Sequence, residues 1–534
     1  MRCSLISSFA DALRRDKYFF ICLQAMIAVI VTYSDVSAQI TANSTANSTA
    51  NSTEDPRRLM RQAEKFVRLG AMTEAEAALR KAVSFDSTSA SKVELAFVLS
   101  KQRKLLEAYN LSYEVVAAEQ KNSRAYAVLG TVLLNAGRFA EARIVLFNAL
   151  KLNRREDLAW AGFGMLDFYE NNISESLINL QEADLHKPDK PDYLFALAQV
   201  FSRAERYRDA ADAYFRFLSA SKNTDDERRA RIKGLINFLR FLGQKDKLYA
   251  SIGQERTKVK FDLVGNRPVI NVKINGRSET LRFVLDTGSG ITVISDKTAK
   301  KMGIRTITKG GFARGIGGDG RFEIVYGFLN QVDIGDASVK NVPVYIREFH
   351  DIGQVVDGYI GLSMISKFLT TIDYGDLTFS LSKKRIDEVE FRENPELSLP
   401  LRLTSSGFLS GEVELEGIES KLNFIVDTGA SVSVISDRVA NLASVSQYLA
   451  TGKMRVIGSA GITENVPSFM LPRVTFGSHT RTSVSAIALD LDVINEASGF
   501  EQAGILGGNF LKNYRLTFDF KNSKVTFTSV TPQN

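Results

Sequence analysis

The chain has 534 residues, 44% of them hydrophobic and 24% charged, with a formal net charge of +7. That is ordinary globular composition, with room for about three domains. The basic residues are interleaved with acids rather than gathered in one stripe, which argues against a nucleic-acid partner.

Residues 1–38 read as an export signal. Arg14, Arg15 and Lys17 supply positive charge, Phe19 to Val31 is an apolar run broken only by Gln24, and Val36-Ser37-Ala38 is an A-x-A-like cleavage site. The rival reading is an uncleaved membrane anchor, but the run is short of the ~20 residues that a span needs. The expectation is therefore a cleaved signal and a protein of the periplasm, the cell envelope or the exterior. Phe20-Ile21-Cys22 lacks the small residues of a lipoprotein cleavage box. Cys3 and Cys22 are the two cysteines of the chain, so removing the signal leaves neither disulfide nor thiol chemistry. The histidines, His186, His350 and His479, lie far apart without ligand spacing, so no metal, no cofactor and no Ser–His centre is expected. Residues 39–55 form a polar linker with a tandem Ala-Asn-Ser-Thr repeat from Thr41 to Thr53. Asn43, Asn47 and Asn51 begin sequons that would carry glycans only in a eukaryotic secretory pathway; a simple spacer is the plainer reading.

Residues 56–256 are helical and repetitive. Ala75, Ala108, Ala142, Ser176 and Ala210 mark the same point in successive units, at spacings of 33, 34, 34 and 34. Tyr126, Leu129, Gly130 and Leu133 fall at the spacing of W-x₂-L-G-x₂-Y, and Gly137-Arg138-Phe139-Ala140-Glu141-Ala142 turns into a second helix, echoed at Glu205 to Ala210. The segment resembles a tetratricopeptide repeat (TPR) array, an all-α solenoid of helix pairs. Thr224 to about Gln254, with Ile232, Leu235, Ile236, Leu239 and Leu242 on one face, reads as a closing helix pair. Such arrays present a concave face to peptides or partner proteins; the alternative is a rigid spacer.

From about Lys258 the period changes. Val269 to Ile274 alternates, Asn275-Gly276 is a hairpin turn, and Thr298 to Met302 can form a short helix. One sequence then occurs twice: Leu285-Asp286-Thr287-Gly288-Ser289 and Val426-Asp427-Thr428-Gly429-Ala430, with aspartates 427 − 286 = 141 residues apart. Apolar strands flank both copies, and each runs on to Val-Ile-Ser-Asp, at 293–296 and 434–437. Two carboxyls held close share one proton, because like charges in contact cannot both ionise. One can then activate a water while the other polarises a carbonyl. Gly288 and Gly429 let the backbone turn tightly. Thr287 and Thr428 can hydrogen-bond across the loops. Ser289 can bond its own aspartate and Ala430 cannot, so the two halves should differ.

Each half resembles a retropepsin-type aspartic protease unit, and the tandem resembles the two-lobed pepsin arrangement. A second signature of two apolar residues and a glycine appears as Tyr359-Ile360-Gly361 and Ile505-Leu506-Gly507, each followed by a closing strand pair. The resemblance covers about residues 258–530. It implies two all-β barrel lobes, 257–390 and 391–534, pairing within one chain as a pseudo-two-fold aspartic protease behind the solenoid. Asp286 and Asp427 would be catalytic and a polypeptide the substrate. Lys383 to Pro400 would connect the lobes.

Gly315-Ile316-Gly317-Gly318-Asp319-Gly320 matches G-x-G-x-x-G, but a strand rather than a helix follows it, so the dinucleotide reading fails. It resembles the retropepsin flap, as does Val456-Ile457-Gly458-Ser459-Ala460-Gly461, again offset by 457 − 316 = 141. Neither flap has the tyrosine expected of pepsin. Asp357 has Ala503 as its counterpart in lobe two. The alternative function is a non-catalytic adaptor that holds peptides, and a further possibility is lobes pairing between chains.

Overall fold

The computed structural model describes residues 55–531 apart from 223, 319, 351–355, 384–397, 401 and 523. The export segment, nearly all of the polar linker with its sequons, Asp319 and most of the inter-lobe connection lie outside the described residues. No helix among the described residues is long and apolar enough to cross a membrane.

Eleven consecutive helices open the described chain: α1 (Pro56–Leu69), α2 (Met72–Phe85), α3 (Ser89–Lys101), α4 (Leu105–Ala118), α5 (Ser123–Asn135), α6 (Phe139–Leu152), α7 (Asp157–Tyr169), α8 (Ile173–His186), α9 (Pro191–Arg203), α10 (Tyr207–Ala220) and α11 (Asp226–Leu242). They stack as five helix pairs and a last helix. The marker residues Ala75, Ala108, Ala142, Ser176 and Ala210 are each the fourth residue of a second helix, and each is 0% exposed. Only a small side chain fits there. Ser176 is tolerated because its hydroxyl donates to the Gly164 carbonyl at 2.7 Å. A methyl at Gly130 would lie 2.6 Å from Leu146, so this glycine sets how closely α5 and α6 approach.

The turn within each of the last four pairs is left-handed at one position: Arg103 (φ 61), Gly137 (φ 74), Asn171 (φ 62) and Glu205 (φ 61), spaced by 34. These turns form one edge of the solenoid, and that edge docks on the β-region. Arg103 bonds Glu501 at 2.8 Å, Asn423 reaches the Gly137 carbonyl, Asn171 reaches the Phe520 carbonyl, and Glu205 pairs with Lys367. Phe500 is wholly buried between Phe139 and Tyr169, with ring centroids 4.9 Å from each. Arg203 lies 3.6 Å over the Phe168 ring and donates to the Thr404 carbonyl; burial pushes its guanidinium down to about 9. On the inner face, first helices three repeats apart meet, because Lys101 of α3 pairs with Asp192 of α9 at 2.7 Å.

The expected closing helix pair is half right. α11 forms, but the chain then turns and enters β1. Leu248 and Tyr249 are buried in the core of the β-region, and β1 adds to its sheet edge. The competing interaction was tertiary: strand pairing outweighed a short helical pattern.

Lobe one contains β1 (Ala250–Gly253), β2 (Arg256–Lys260), β3 (Asp262–Val264), β4 (Arg267–Ile274), β5 (Leu281–Leu285), β6 (Thr292–Ser295), β7 (Thr306–Arg314), β8 (Arg321–Ile334), β9 (Ala337–Arg347), β10 (Gly358–Ile360), β11 (Leu369–Asp373) and β12 (Thr378–Ser382). Lobe two contains β13 (Ser398–Pro400), β14 (Arg402–Leu403), β15 (Leu409–Leu415), β16 (Leu422–Val426), β17 (Ser433–Ser436), β18 (Leu449–Gly458), β19 (Gly461–Phe476), β20 (His479–Leu489), β21 (Gly504–Leu506), β22 (Tyr514–Asp519) and β23 (Lys524–Ser529). Each lobe closes on itself. The path β9-β6-β10-β5-β4-β8 returns to β9, and β15-β16-β21-β17-β20-β19 returns to β15. Closure pairs the barrel strands on both sides, with β1, β7, β14 and β18 standing at the ends of the strand orders. The Asn275-Gly276 turn has φ values of 51° and 70°, as expected. The expected short helix spans Asp296–Met302 and is capped by Ser295.

A third sheet, ordered β13-β23-β22-β11-β12-β2, joins the lobes. β11 and β22 pair antiparallel, with Ile372 opposite Leu516, so the lobes meet within one chain. Arg515 donates to Asp373 across this seam at 2.6 Å. His479 packs on Tyr514 and Phe527.

Candidate active site

The first strand of each repeat ends at the aspartate. β5 runs parallel to β10 and β16 runs parallel to β21. The Asp286 amide donates to the Ile360 carbonyl and the Asp427 amide to the Leu506 carbonyl, both at 3.0 Å. The later glycines are needed where these backbones cross. A Cβ at Gly361 would fall 2.5 Å from the Ile291 backbone, and one at Gly507 would fall 2.6 Å from that of Val432.

Thr287 and Thr428 are fully buried and bond reciprocally. The Thr287 hydroxyl donates to the Val426 carbonyl at 2.7 Å and accepts from the Thr428 amide at 3.1 Å. The Thr428 hydroxyl donates to the Leu285 carbonyl at 2.7 Å and accepts from the Thr287 amide at 3.1 Å. Four hydrogen bonds thus tie the two loops with no side chain to spare.

Above this web Asp286 and Asp427 share a hydrogen bond. A methyl at Gly288 would lie 2.3 Å from the Asp427 carboxyl carbon, and one at Gly429 would lie 2.6 Å from that of Asp286. Any side chain at either position would wedge the pair apart. Burial pushes both carboxyls upward. Asp286 goes well above the ordinary carboxylate range, because the negative Asp427 adds to the effect of burial. Asp427 rises less, since the Gly429 amide, the Asp286 hydrogen bond and the Ala430 and Gly288 amides favour its charged form. The Gly429 amide donates to Asp427 Oδ1 at 2.7 Å. The amides that face Asp427 favour the charge on that side of the pair.

The two halves differ, but not through Ser289. Its hydroxyl donates to the Ile291 carbonyl at 2.7 Å and not to Asp286, because that carbonyl lies within the same tight turn. The asymmetry comes from the amides around Asp427. Asp357 is structural: its carboxylate accepts from the Arg282 amide and the Thr298 hydroxyl. Ala503 keeps only the backbone part of this arrangement, donating to the Asn423 carbonyl and accepting from the Ser436 amide.

Both glycine hairpins form, and their tips touch. The Ala460 amide donates to the Ile316 carbonyl at 2.8 Å, and the Gly318 amide donates to the Ile462 carbonyl at 3.2 Å. The Ser459 hydroxyl accepts from the Ile316 amide at 3.1 Å. A Cβ at Gly317 or at Gly458 would lie 2.2 Å from a carbonyl oxygen of the opposite tip, and one at Gly318 would lie 2.4 Å away. Gly315 is equally confined, 2.3 Å from Ser459. Ile316 packs into the apolar cluster of lobe two, whereas Ile457 is 41% exposed. The first hairpin is also held from outside by α11: Phe238 stacks on Tyr326 at 4.4 Å, and Arg231 donates to the Phe312 carbonyl.

Sequence reasoning passed over Arg347, the last residue of β9, whose charge acts on both Tyr359 and Asp286. The available signal was a cation closing the apolar run Val342 to Ile346.

Two closed barrels, Asp-Thr-Gly loops joined at their base, and paired hairpins define the architecture of a two-lobed aspartic protease, carried here behind a TPR-like solenoid. In agreement, residues 270–364 and 411–510 match the family model described as aspartyl protease. The helical array is similar to solved TPR proteins. One is a thermophilic TPR protein of Thermus thermophilus (20% identity, 34% of this chain and 99% of that one, TM-score 0.30). Another is PilF of Pseudomonas aeruginosa (16% identity, 35% and 86%, TM-score 0.27). A third is YrrB, a TPR protein with an unusual peptide-binding site (20% identity, 32% and 89%, TM-score 0.21). No curated protein matches the chain in sequence.

Proposed function

We propose that the chain is an aspartic endopeptidase in which Asp286 and Asp427 hydrolyse peptide bonds. The observation that carries this reading is the half-buried carboxyl pair, each member packed against the glycine of the other loop and both seated on the threonine web. Asp427, the ionised member, takes a proton from water. Asp286, the protonated member, donates a hydrogen bond to the scissile carbonyl. An extended peptide lies across both lobes beneath the hairpins, which bond its backbone. Recruitment of substrate or partner proteins by the concave face of the solenoid belongs to the same proposal, and a partner there competes with the Lys101–Asp192 ion pair. The test is cleavage of denatured protein from about pH 3 to 7, the span in which a carboxyl pair titrates, with a statine-type transition-state mimic as inhibitor. Inhibitable turnover is expected. Peptide binding without turnover throughout that span would leave a non-catalytic adaptor.

Export completes the proposal: residues 1–38 direct the protein to the envelope or beyond. N-terminal sequencing of the native protein should begin at Gln39, and a chain beginning at Met1 in the cytosolic fraction would refute it.

A further inference from the structure

The two lobes are alike in backbone, so a difference in side chains at matched positions bears on what each accepts. β9 pairs with β6 so that Arg347 lies opposite Ser295, and β20 pairs with β17 so that Leu489 lies opposite Ser436. Ser295 and Ser436 are themselves counterparts, 436 − 295 = 141 residues apart. One site therefore offers a cation where its twin offers an aliphatic side chain.

Leu489 packs against an apolar cluster that includes Ile425, Ile487, Ile505 and the hairpin tip Ile316. Around Arg347 they are mixed. Val284, which immediately precedes the Leu285-Asp286 step, pairs with Tyr359, and Phe349 lies edge-on to Tyr359 with centroids 5.1 Å apart. The guanidinium of Arg347 lies 5.3 Å from the ring of Phe322, on the hairpin above, and 5.9 Å from that of Phe349. It is thus held between the cover of the cleft and its wall. Its Nε is buried without a hydrogen-bond partner, and no carboxylate among the described residues forms an ion pair with it. Arg347 is half-buried, so its planar fork is partly desolvated and free to meet a substrate carboxylate in a bidentate pair. Phe349 touches both Arg347 and Tyr359, and Tyr359 pairs with Val284 two residues before Asp286, which sets the site beside the reacting loop.

Resting on the peptidase reading, we propose that Arg347 is a specificity residue: lobe one accepts an acidic substrate side chain beside the scissile bond, while lobe two accepts an aliphatic one. The catalytic cleft is then pseudo-symmetric in chemistry but not in selection.

The test uses the mature full chain and pairs of statine-type peptides that differ only by Glu or Gln on either side of the statine. Wild type should bind the Glu form about tenfold more tightly at one of the two positions, a difference of about 1.4 kcal/mol. Arg347→Leu should abolish that preference and Arg347→Lys should keep part of it, which separates charge recognition from a packing role. Peptide-library cleavage in parallel should show acidic enrichment at the same position. Equal affinity of wild type for Glu and Gln at both positions, or a preference that survives in Arg347→Leu, overturns the proposal even where turnover proceeds. A Glu preference without turnover upholds the subsite and sinks the peptidase reading instead.

Discussion

Asp286→Asn and Asp427→Asn each lower kcat/KM for peptide cleavage by at least about 10⁴-fold, the upper range for loss of an acid–base group. The amide is nearly isosteric with the carboxyl, so the threonine web beneath is untouched and peptide affinity, read by fluorescence anisotropy, is kept. The two losses are not additive, because the pair works through one proton; the double variant is no slower than either single one. Either variant cleaving at the wild-type rate would remove both aspartates from the chemistry.

The same pair sets a pH profile. Both carboxyls are raised, Asp427 above its ordinary 3.8 and Asp286 further still. Protonating Asp427 silences the base, so the acid limb of the rate profile lies above pH 3.8. Removing the proton from Asp286 silences the acid, so the alkaline limb is displaced toward neutrality. Stability follows the same linkage. A carboxyl whose folded pKa is raised holds its proton more tightly in the native chain than in the unfolded one. Its contribution is fully present below the unfolded value and is lost as pH rises through the folded value. Asp286→Asn removes that loss, so the variant should melt above wild type at pH 7, with the gap closing toward pH 4.

How much of this was legible depended on whether a feature is local or tertiary. The repeat period could be read because small residues are forced at the helix contact in every unit, and Ala75 through Ala210 all lie there. The Asp-Thr-Gly loops could be read because tight turns, close backbone crossings and acid chemistry each restrict the residue choice. The edge-on docking of the solenoid could not. Arg103, Gly137, Asn171 and Glu205 carry a visible 34-residue spacing, yet nothing local says that these turns meet a second domain. The same holds for residues 250–253, whose strand partner lies about 85 residues further along. The hydroxyl of Ser289 had two acceptors within reach, and residue type alone does not choose between them.

The threonine web makes the second large prediction. In Thr287→Val the shape is kept, but the Val426 carbonyl loses a donor and the Thr428 amide loses an acceptor, both in a fully buried setting. Each orphaned group costs about 1–3 kcal/mol, so the variant should lose about 2–6 kcal/mol of stability. Its kcat should fall by about 10²-fold, the scale of a 1 Å misplacement of reacting groups. Thr287→Ser keeps the hydroxyl and gives up one methyl, for about 1 kcal/mol, with near-normal kcat. Because Thr287 and Thr428 form one network, Thr287→Val/Thr428→Val should be less damaging than the sum of the single changes, with a coupling of about 0.5–3 kcal/mol. Urea unfolding beside steady-state kinetics reads both quantities. A valine variant with wild-type kcat would mean that the carboxyls are aligned by something other than the loops that carry them.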